Sequence, residues 1–314
     1  MNGDQPKIEI FEPFGAAFEL MKRILFRPFD FAKWLVIGFA AFLSGAWGSG
    51  LSFRFPGNAN WNFRSISHNN ATISDLLPSW FFPFIVVIVA LALLIIFALM
   101  WIAARGRFIF TDCVVKNRAA IIVPWQEYRR EGNSFFLFSL VVMFLTLLLM
   151  GVFVLLIVLP MGLLAGGKGT AGLGAAAVFA LVFVGLVWLA LAIFFGVVSQ
   201  FMVPVMYRRR CRAREAFFDV SKLVLARPGP IVLFVLFGIV LVLALVIVST
   251  IATCVTCCVA GFPYISSVVL LPAFVWLLAF KLLFLRQFGP EYDVWATAAS
   301  PPTTPPNVAL PPTG

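Results

Sequence analysis

The feature that most constrains the fold is an alternation of long apolar blocks with basic segments. Each block is long enough to cross about 30 Å of hydrocarbon at about 1.5 Å per residue of helix. Charged residues make up only 11% of the chain, whereas a soluble domain carries about 25%. We therefore predict an all-α fold, a polytopic membrane helical bundle of six transmembrane helices at residues 31–51, 80–104, 135–160, 173–203, 231–253 and 265–285.

The basic residues lie mostly on one side of these blocks. Of the 23 lysines and arginines, only Arg54, Arg64 and Lys168 fall on the opposite side. Because basic loops stay in the cytoplasm, this asymmetry predicts a multi-pass protein with both termini cytoplasmic. It also accounts for the net charge of +10 without nucleic-acid binding, for which the chain has no recognisable reader fold. The first 13 residues do not resemble a signal peptide, so we expect the first block to act as an uncleaved anchor.

An internal repeat suggests how the basic segments fold. Residues 16–38 align with residues 216–238 without a gap, and Arg27-Pro28 matches Arg227-Pro228. Proline ends or kinks the preceding helix and is tolerated at the start of the next one. In the first copy, apolar side chains recur at helical spacing from Phe14 to Leu25. We therefore predict three units, each an amphipathic interfacial helix on the cytoplasmic side followed by a helical hairpin.

The same basic segments predict contacts with anionic lipid headgroups. Near a charged membrane surface, each Lys or Arg contributes about 1 kcal/mol. A simple topology signal also explains these residues, and the two explanations are compatible. The predicted lipid contacts are Lys22, Arg23, Arg27, Arg208, Arg209, Arg210, Arg212, Arg214 and Arg227.

No residue pattern predicts catalysis, a metal or a cofactor. Zinc requires four ligands, and the Cys254, Cys257 and Cys258 cluster has no histidine beside it, since the only histidine is His68. These cysteines are expected to pack as small apolar residues. The polar residues of the predicted spans are expected to bond to nearby backbone, and a lysine at the end of the last span is expected to reach the headgroups. These residues are Ser199, Gln200, Ser249, Thr250, Thr253 and Lys281.

Three cytoplasmic segments resemble a known group of proteins. The segments are Arg105-Gly106-Arg107-Phe108-Ile109-Phe110, Trp125 to Asn133, and Phe288-Gly289-Pro290-Glu291-Tyr292-Asp293. They resemble uncharacterised bacterial six-span membrane proteins, which are similar to the membrane domain fused to some glycerophosphodiester phosphodiesterases. The chain has no room for a catalytic barrel of about 250 residues. The resemblance therefore implies topology and a bacterial inner-membrane location, but no enzymatic activity.

We predict one membrane domain, residues 1–295, followed by a disordered Pro-rich cytoplasmic tail, residues 296–314. The first functional hypothesis is a non-enzymatic membrane protein that acts through its contacts with lipid or with an unidentified protein partner. The alternative is a transporter or channel for an apolar or lipid-like substrate. A polar cavity at Ser199, Gln200 or Thr250 would favour the alternative.

Overall fold

The computed structural model describes residues 9–45, 81–153, 155, 171–255 and 263–296, and these ranges contain helices and no strands. The all-α prediction is therefore confirmed for them. Several predictions concern residues outside them, including residues 52–79 and 161–170 between the predicted spans, His68, Cys257, Cys258 and all but the first residue of the tail 296–314. We number the described α-helices α1 (Phe11–Leu25), α2 (Phe31–Leu43), α3 (Phe81–Val115), α4 (Ile122–Glu127), α5 (Arg129–Phe153), α6 (Ala171–Arg209), α7 (Ala213–Ala226), α8 (Pro228–Val255), α9 (Pro263–Val269) and α10 (Leu271–Arg286); a 3₁₀ helix follows at Pro290–Tyr292.

Four of the described helices, α3, α5, α6 and α8, are long and apolar enough to cross a membrane. They correspond to the four central predicted spans. Helix α2, in the first predicted span, has 13 described residues and a length of about 20 Å. The last predicted span is divided at Leu270 into α9 and α10. The helices therefore indicate a membrane protein, while the full count of six spans stays a prediction.

The packed core lies at the ends of the long helices that are next to the basic segments. In α3, side chains from Phe84 to Leu99 are mostly exposed, whereas most of those from Ala104 to Val115 are buried. The 35 residues of α3 extend about 52 Å, and the hydrocarbon needs only about 20 residues. The exposed apolar part is therefore suited to lipid contact, and the remainder of α3 packs with other helices beyond it.

Helix α2 runs antiparallel to the basic end of α3. Lys33 Nζ donates to Asn117 Oδ1 at 2.7 Å, where α3 has just ended. At the other end of α2, the backbone of Leu43 lies against Gly106, where a Cβ atom would overlap with the Leu43 carbonyl. Only glycine permits this approach. The contact places the end of α2 beside Arg107, the next residue of α3.

Helix α1 packs against α10. Its buried residues include Ala17, Met21 and Ile24, which lie on one helical face. The Phe14 ring lies 4.6 Å from that of Trp276, whose indole N–H donates to the Phe14 carbonyl at 3.3 Å. The amphipathic pattern therefore marks a face that packs on protein, and the predicted interfacial position of α1 stays a prediction.

The two repeat copies differ at Arg-Pro. Pro228 is the first residue of α8, as the repeat predicts. In the first copy, Pro28 lies before the helix, and α2 begins at Phe31 behind Asp30, whose carboxylate accepts from the backbone N–H of Ala32 and Lys33. Such an N-cap satisfies backbone donors that a helix start leaves open. In both copies the dipeptide therefore lies between two helices, but only in the second does the next helix begin at the proline. The repeat itself stays a prediction.

Candidate functional site

A cavity of about 650 Å³ lies between α3, α6, α8 and α10, beside the end of α2. This volume is typical of ligand pockets, which measure about 300–1,000 Å³. Most of its lining is apolar and includes Phe234, Phe274 and Phe280. The polar side chains among the described residues that line it are Ser44, Arg107, Thr111, Ser199, Gln200 and Lys281. Ser199 and Gln200 are two of the three residues at which a polar cavity would favour the transport hypothesis.

Within the described part of the chain, the two cations of this cavity have no counter-ion. Among the residues that the structure describes, neither Arg107 nor Lys281 forms an ion pair or a side-chain hydrogen bond. The guanidinium carbon of Arg107 lies 5.3 Å from the centroid of the Phe135 ring. Arg107 of α3 and Lys281 of α10 line the same cavity. A cation inside a membrane protein is costly without a partner and is commonly functional. Lys281, which was expected to reach headgroups, instead lines the cavity.

The polar and apolar parts of the cavity are separated along the helix axes. On α6, Ser199 and Gln200 lie closer to the basic end than Gly196, which also lines the cavity. On α10, Lys281 lies seven residues closer to that end than Phe274. The cavity therefore has a cationic end towards the basic segments and an apolar end towards the lipid-facing part of the helices.

A second cavity of about 340 Å³ shares Arg107, Gly196 and Ser199 with the first. The Ser199 hydroxyl donates to the Gly196 carbonyl at 2.8 Å. The hydroxyls of Thr250 and Thr253 likewise donate to backbone carbonyls one turn earlier. This confirms the expectation that these hydroxyls bond to their own helix. Among the described polar side chains that line the first cavity, Arg107, Gln200 and Lys281 have no hydrogen-bond or ion-pair partner.

Three of the predicted lipid contacts meet in a surface groove. Lys22, Arg23 and Arg27 of the first basic segment line a space of about 570 Å³ together with Arg286 of α10. Lys22 pairs with Glu19 at 2.8 Å, and this contact lowers the pKa of the Glu19 carboxyl. Among the described residues, Arg23 and Arg27 have no ion pair or side-chain hydrogen bond. The sequence did not assign Arg286 to this site, because it lies 259 positions from Arg27.

The second set of predicted lipid contacts is partly paired with protein carboxylates. Arg209 binds Asp219 at 2.6 Å and Glu291 at 2.7 Å. Arg210 pairs with Glu127 and lies 3.9 Å above the Tyr128 ring. In the same set, Arg212 and Arg214 are exposed, whereas Arg208 and Arg227 are half-buried. The structure therefore gives Arg209 and Arg210 roles in holding helices together, and the lipid contacts of this set stay a prediction.

A buried carboxylate that sequence reasoning missed organises the core. Asp112, which is fully buried, binds Lys116 at 2.8 Å and Arg118 at 2.7 Å and accepts from the Tyr207 hydroxyl at 3.0 Å. The Tyr207 ring stacks on that of Tyr128 with centroids 4.9 Å apart. Burial raises the pKa of Tyr128 to about 12. With both oxygens partnered, Asp112 is suited to stabilising the fold.

The segments that carry the family resemblance meet at the same end of the molecule. The Arg105 guanidinium donates to the Asn133 side chain at 3.1 and 2.8 Å. It also lies 4.2 Å above the Trp101 ring and 5.0 Å above the Trp125 ring. At Gly132 a Cβ atom would come within 2.8 Å of Arg105 Cγ. The first two of these segments therefore join α3 to α4 and α5.

The comparisons with known proteins identify a family and give no activity. A model of a family of unknown function, DUF7544, matches residues 8–289. The chain belongs to this family. Neither a curated protein nor a solved structure matches the chain. Membership shows no link to glycerophosphodiester phosphodiesterases, so that resemblance stays a prediction.

Proposed function

We propose that this DUF7544 member is a six-span protein of a bacterial inner membrane that binds anionic lipid at its cytoplasmic face and catalyses no reaction. The observation that carries the proposal is the groove between α1 and α10. The groove brings Lys22, Arg23, Arg27 and Arg286 together with a single carboxylate among its described lining residues, Glu19, which pairs with Lys22, so cations outnumber carboxylates there. Anionic headgroups supply the missing charge.

Exposed aromatic side chains beside the groove suit the same surface. Phe26, Phe29 and Phe31 are 47%, 59% and 63% exposed, and they flank Arg27. Apolar rings next to cations are typical of segments at the boundary between headgroups and acyl chains. The rings bury apolar area in the membrane while the arginines bind the headgroups, so both parts of a lipid are engaged.

The experiment measures the thermal unfolding midpoint of the full-length protein in neutral detergent with added phosphatidylglycerol or phosphatidylcholine. A ligand that binds the native state raises the midpoint. We expect phosphatidylglycerol to raise it more than phosphatidylcholine. At about 1 kcal/mol per cation, the double variant Arg23→Gln with Arg27→Gln should weaken this effect by about 20–30-fold in lipid concentration.

A matched control removes the same charge elsewhere on the basic side. Arg129→Gln with Arg130→Gln changes two exposed arginines that lie outside the groove. This control should keep the preference for phosphatidylglycerol. Equal stabilisation by the two lipids, or an equal loss in both double variants, would contradict lipid binding at the groove.

The cavity supports a second candidate function, transport of a lipid-like substrate. It lies between helices proposed to span the membrane and is lined by Ser199 and Gln200. The assay is the exchange of fluorescent lipid between leaflets of proteoliposomes, read by quenching from outside. Transport predicts faster exchange than in protein-free liposomes, and an unchanged rate would count against it.

A further inference from the structure

We propose that the cavity between α3, α6, α8 and α10 binds a single-chain amphiphile whose acid headgroup, a carboxylate or a phosphate, is held by Arg107 and Lys281. The site is separate from the surface groove and shares no lining residue with it among those described. The inference rests on the proposed function only for the membrane setting, from which an amphiphile would enter.

The two cations of the cavity favour an anionic ligand. Arg107, which is exposed, and Lys281, which is half-buried, come from different helices and line one cavity, and no carboxylate is present among the described lining residues. Like charges that share a cavity without a counter-ion repel each other. An anion between them removes the repulsion and forms charge-assisted hydrogen bonds. The exposed Gln200 side chain supplies a further amide donor at the same end.

The apolar remainder of the cavity lining favours an alkyl chain. On α8 the cavity runs from Phe234 to Leu243 past apolar side chains and Gly238, a length of about 13 Å along the helix. Ile239 and Leu243 are more than half exposed, so the cavity reaches the lipid-facing surface of α8. A chain can therefore enter sideways from the bilayer. The volume of about 650 Å³ accommodates one chain with its headgroup rather than a complete two-chain phospholipid.

The space at Gly238 is unfilled by the described residues, unlike the space at Gly38, the matching position of the predicted repeat. Gly38 is packed: a Cβ atom there would lie 3.0 Å from Val268 Cγ2 of α9. At Gly238 a Cβ atom would meet no described atom within 4 Å. The position that a protein side chain covers in the first copy is thus open in the second, where the proposed alkyl chain lies.

The test is binding of tritiated palmitate to the full-length protein in neutral detergent. We expect saturable binding and competition by palmitoyl lysophosphatidate, which carries a phosphate on one chain. Hexadecanol has a chain without charge, and inorganic phosphate has charge without a chain. Each should compete at least about tenfold less well, because each lacks one half of the recognised ligand. The ratio of the two acid competitors then distinguishes a carboxylate from a phosphate headgroup.

Variants assign the binding to the cavity. Arg107→Gln and Lys281→Gln should each weaken palmitate binding by about tenfold or more, because each removes a charged hydrogen-bond donor. Gly238→Leu keeps both charges and fills the apolar part, so it should also weaken binding. Its control is Gly185→Leu on α6, where a Cβ atom likewise meets no described atom within 4 Å and which does not line the cavity.

Several results would overturn the proposal. Wild-type affinity in both cation variants would do so, as would hexadecanol competing as well as palmitate or inorganic phosphate competing as well as lysophosphatidate. The double variant Arg23→Gln with Arg27→Gln should bind palmitate normally. If that double variant loses its preference for phosphatidylglycerol while the cavity variants bind palmitate normally, only the cavity proposal fails. If the double variant keeps its preference for phosphatidylglycerol while the cavity variants lose palmitate binding, only the proposed lipid binding at the groove fails.

Discussion

Gly106 is the position at which one added methyl group should most disturb the fold around the cavity. In Gly106→Ala the new Cβ would overlap with the Leu43 carbonyl and lie 2.6 Å from the Ser44 nitrogen. These are backbone atoms, so no side-chain rotation relieves the contact. Helix α2 must move by about 1 Å to reach an ordinary separation of about 3.5 Å.

The magnitude follows from two opposing effects. Overpacking of this kind costs about 1–3 kcal/mol, and the rigid backbone places this contact at the upper end. Replacing glycine by alanine inside a helix returns about 1 kcal/mol. The net expectation is a loss of about 1–2 kcal/mol. Gly238→Ala, which meets no described atom within 4 Å, should instead gain about 0.5–1 kcal/mol.

The assay compares thermal unfolding of the two alanine variants in one detergent, followed by tryptophan fluorescence. A separation of about 2 kcal/mol corresponds to about 3 °C for a domain of about 300 residues, at about 2.1 cal/mol/K of unfolding entropy per residue. Gly106→Ala should unfold first, followed by the wild-type protein and then Gly238→Ala. A midpoint for Gly106→Ala at or above that of Gly238→Ala would refute the close contact between α2 and α3.

Other positions give independent predictions. Asp112→Asn should destabilise the protein by about 1–3 kcal/mol in the same assay. Breaking a buried ion pair costs about 3–5 kcal/mol. The cost is smaller here because the partners of Asp112, Lys116 and Arg118, are each about a third exposed. No destabilisation would argue against this ion cluster. Because the pKa of Tyr128 is raised from 10 to about 12, its stabilising contribution is complete below pH 10 and is lost as the pH rises towards 12. Tyr128→Phe should therefore flatten this part of the stability profile, and an unchanged profile would contradict the assignment. With both termini cytoplasmic, a membrane-impermeant maleimide should label Cys254 in intact spheroplasts and Cys211 only after lysis; the reverse order would overturn the orientation.

The contacts at the cavity explain why sequence reasoning reached one candidate site and missed the other. Lys22, Arg23 and Arg27 follow one another on a short amphipathic helix, so their common surface can be predicted from helical spacing. Arg107 and Lys281 lie on helices that are apolar on most sides. Such helices have no distinct polar face to show which side meets a neighbour. Arg107 was therefore interpreted as part of a topology signal, and Lys281 as a headgroup contact.

The interruption of the last predicted span could not be foreseen from the sequence for a similar reason. The central four blocks are long and apolar, and the described helices follow them closely. In the last block the helix is interrupted at Leu270, where hydropathy alone indicates one continuous segment. Val268, which packs against Gly38, lies just before this interruption. Which residues of a uniformly apolar block pack on protein depends on the partner helix, and the block itself does not identify that partner.

The amino-acid sequence by itself determined the helical class, the four long apolar helices and the concentration of basic residues between the blocks, because length, hydropathy and charge are local properties. Only the tertiary structure decided that Asp112 meets Tyr207, that α1 packs on α10, and that Arg107 and Lys281 face one cavity. Lipid and protein interior are similarly apolar, so hydrophobicity drives a segment into the membrane without selecting its neighbours. Those neighbours are selected by shape, as at Gly106, and by pairing of charges, as at Asp112.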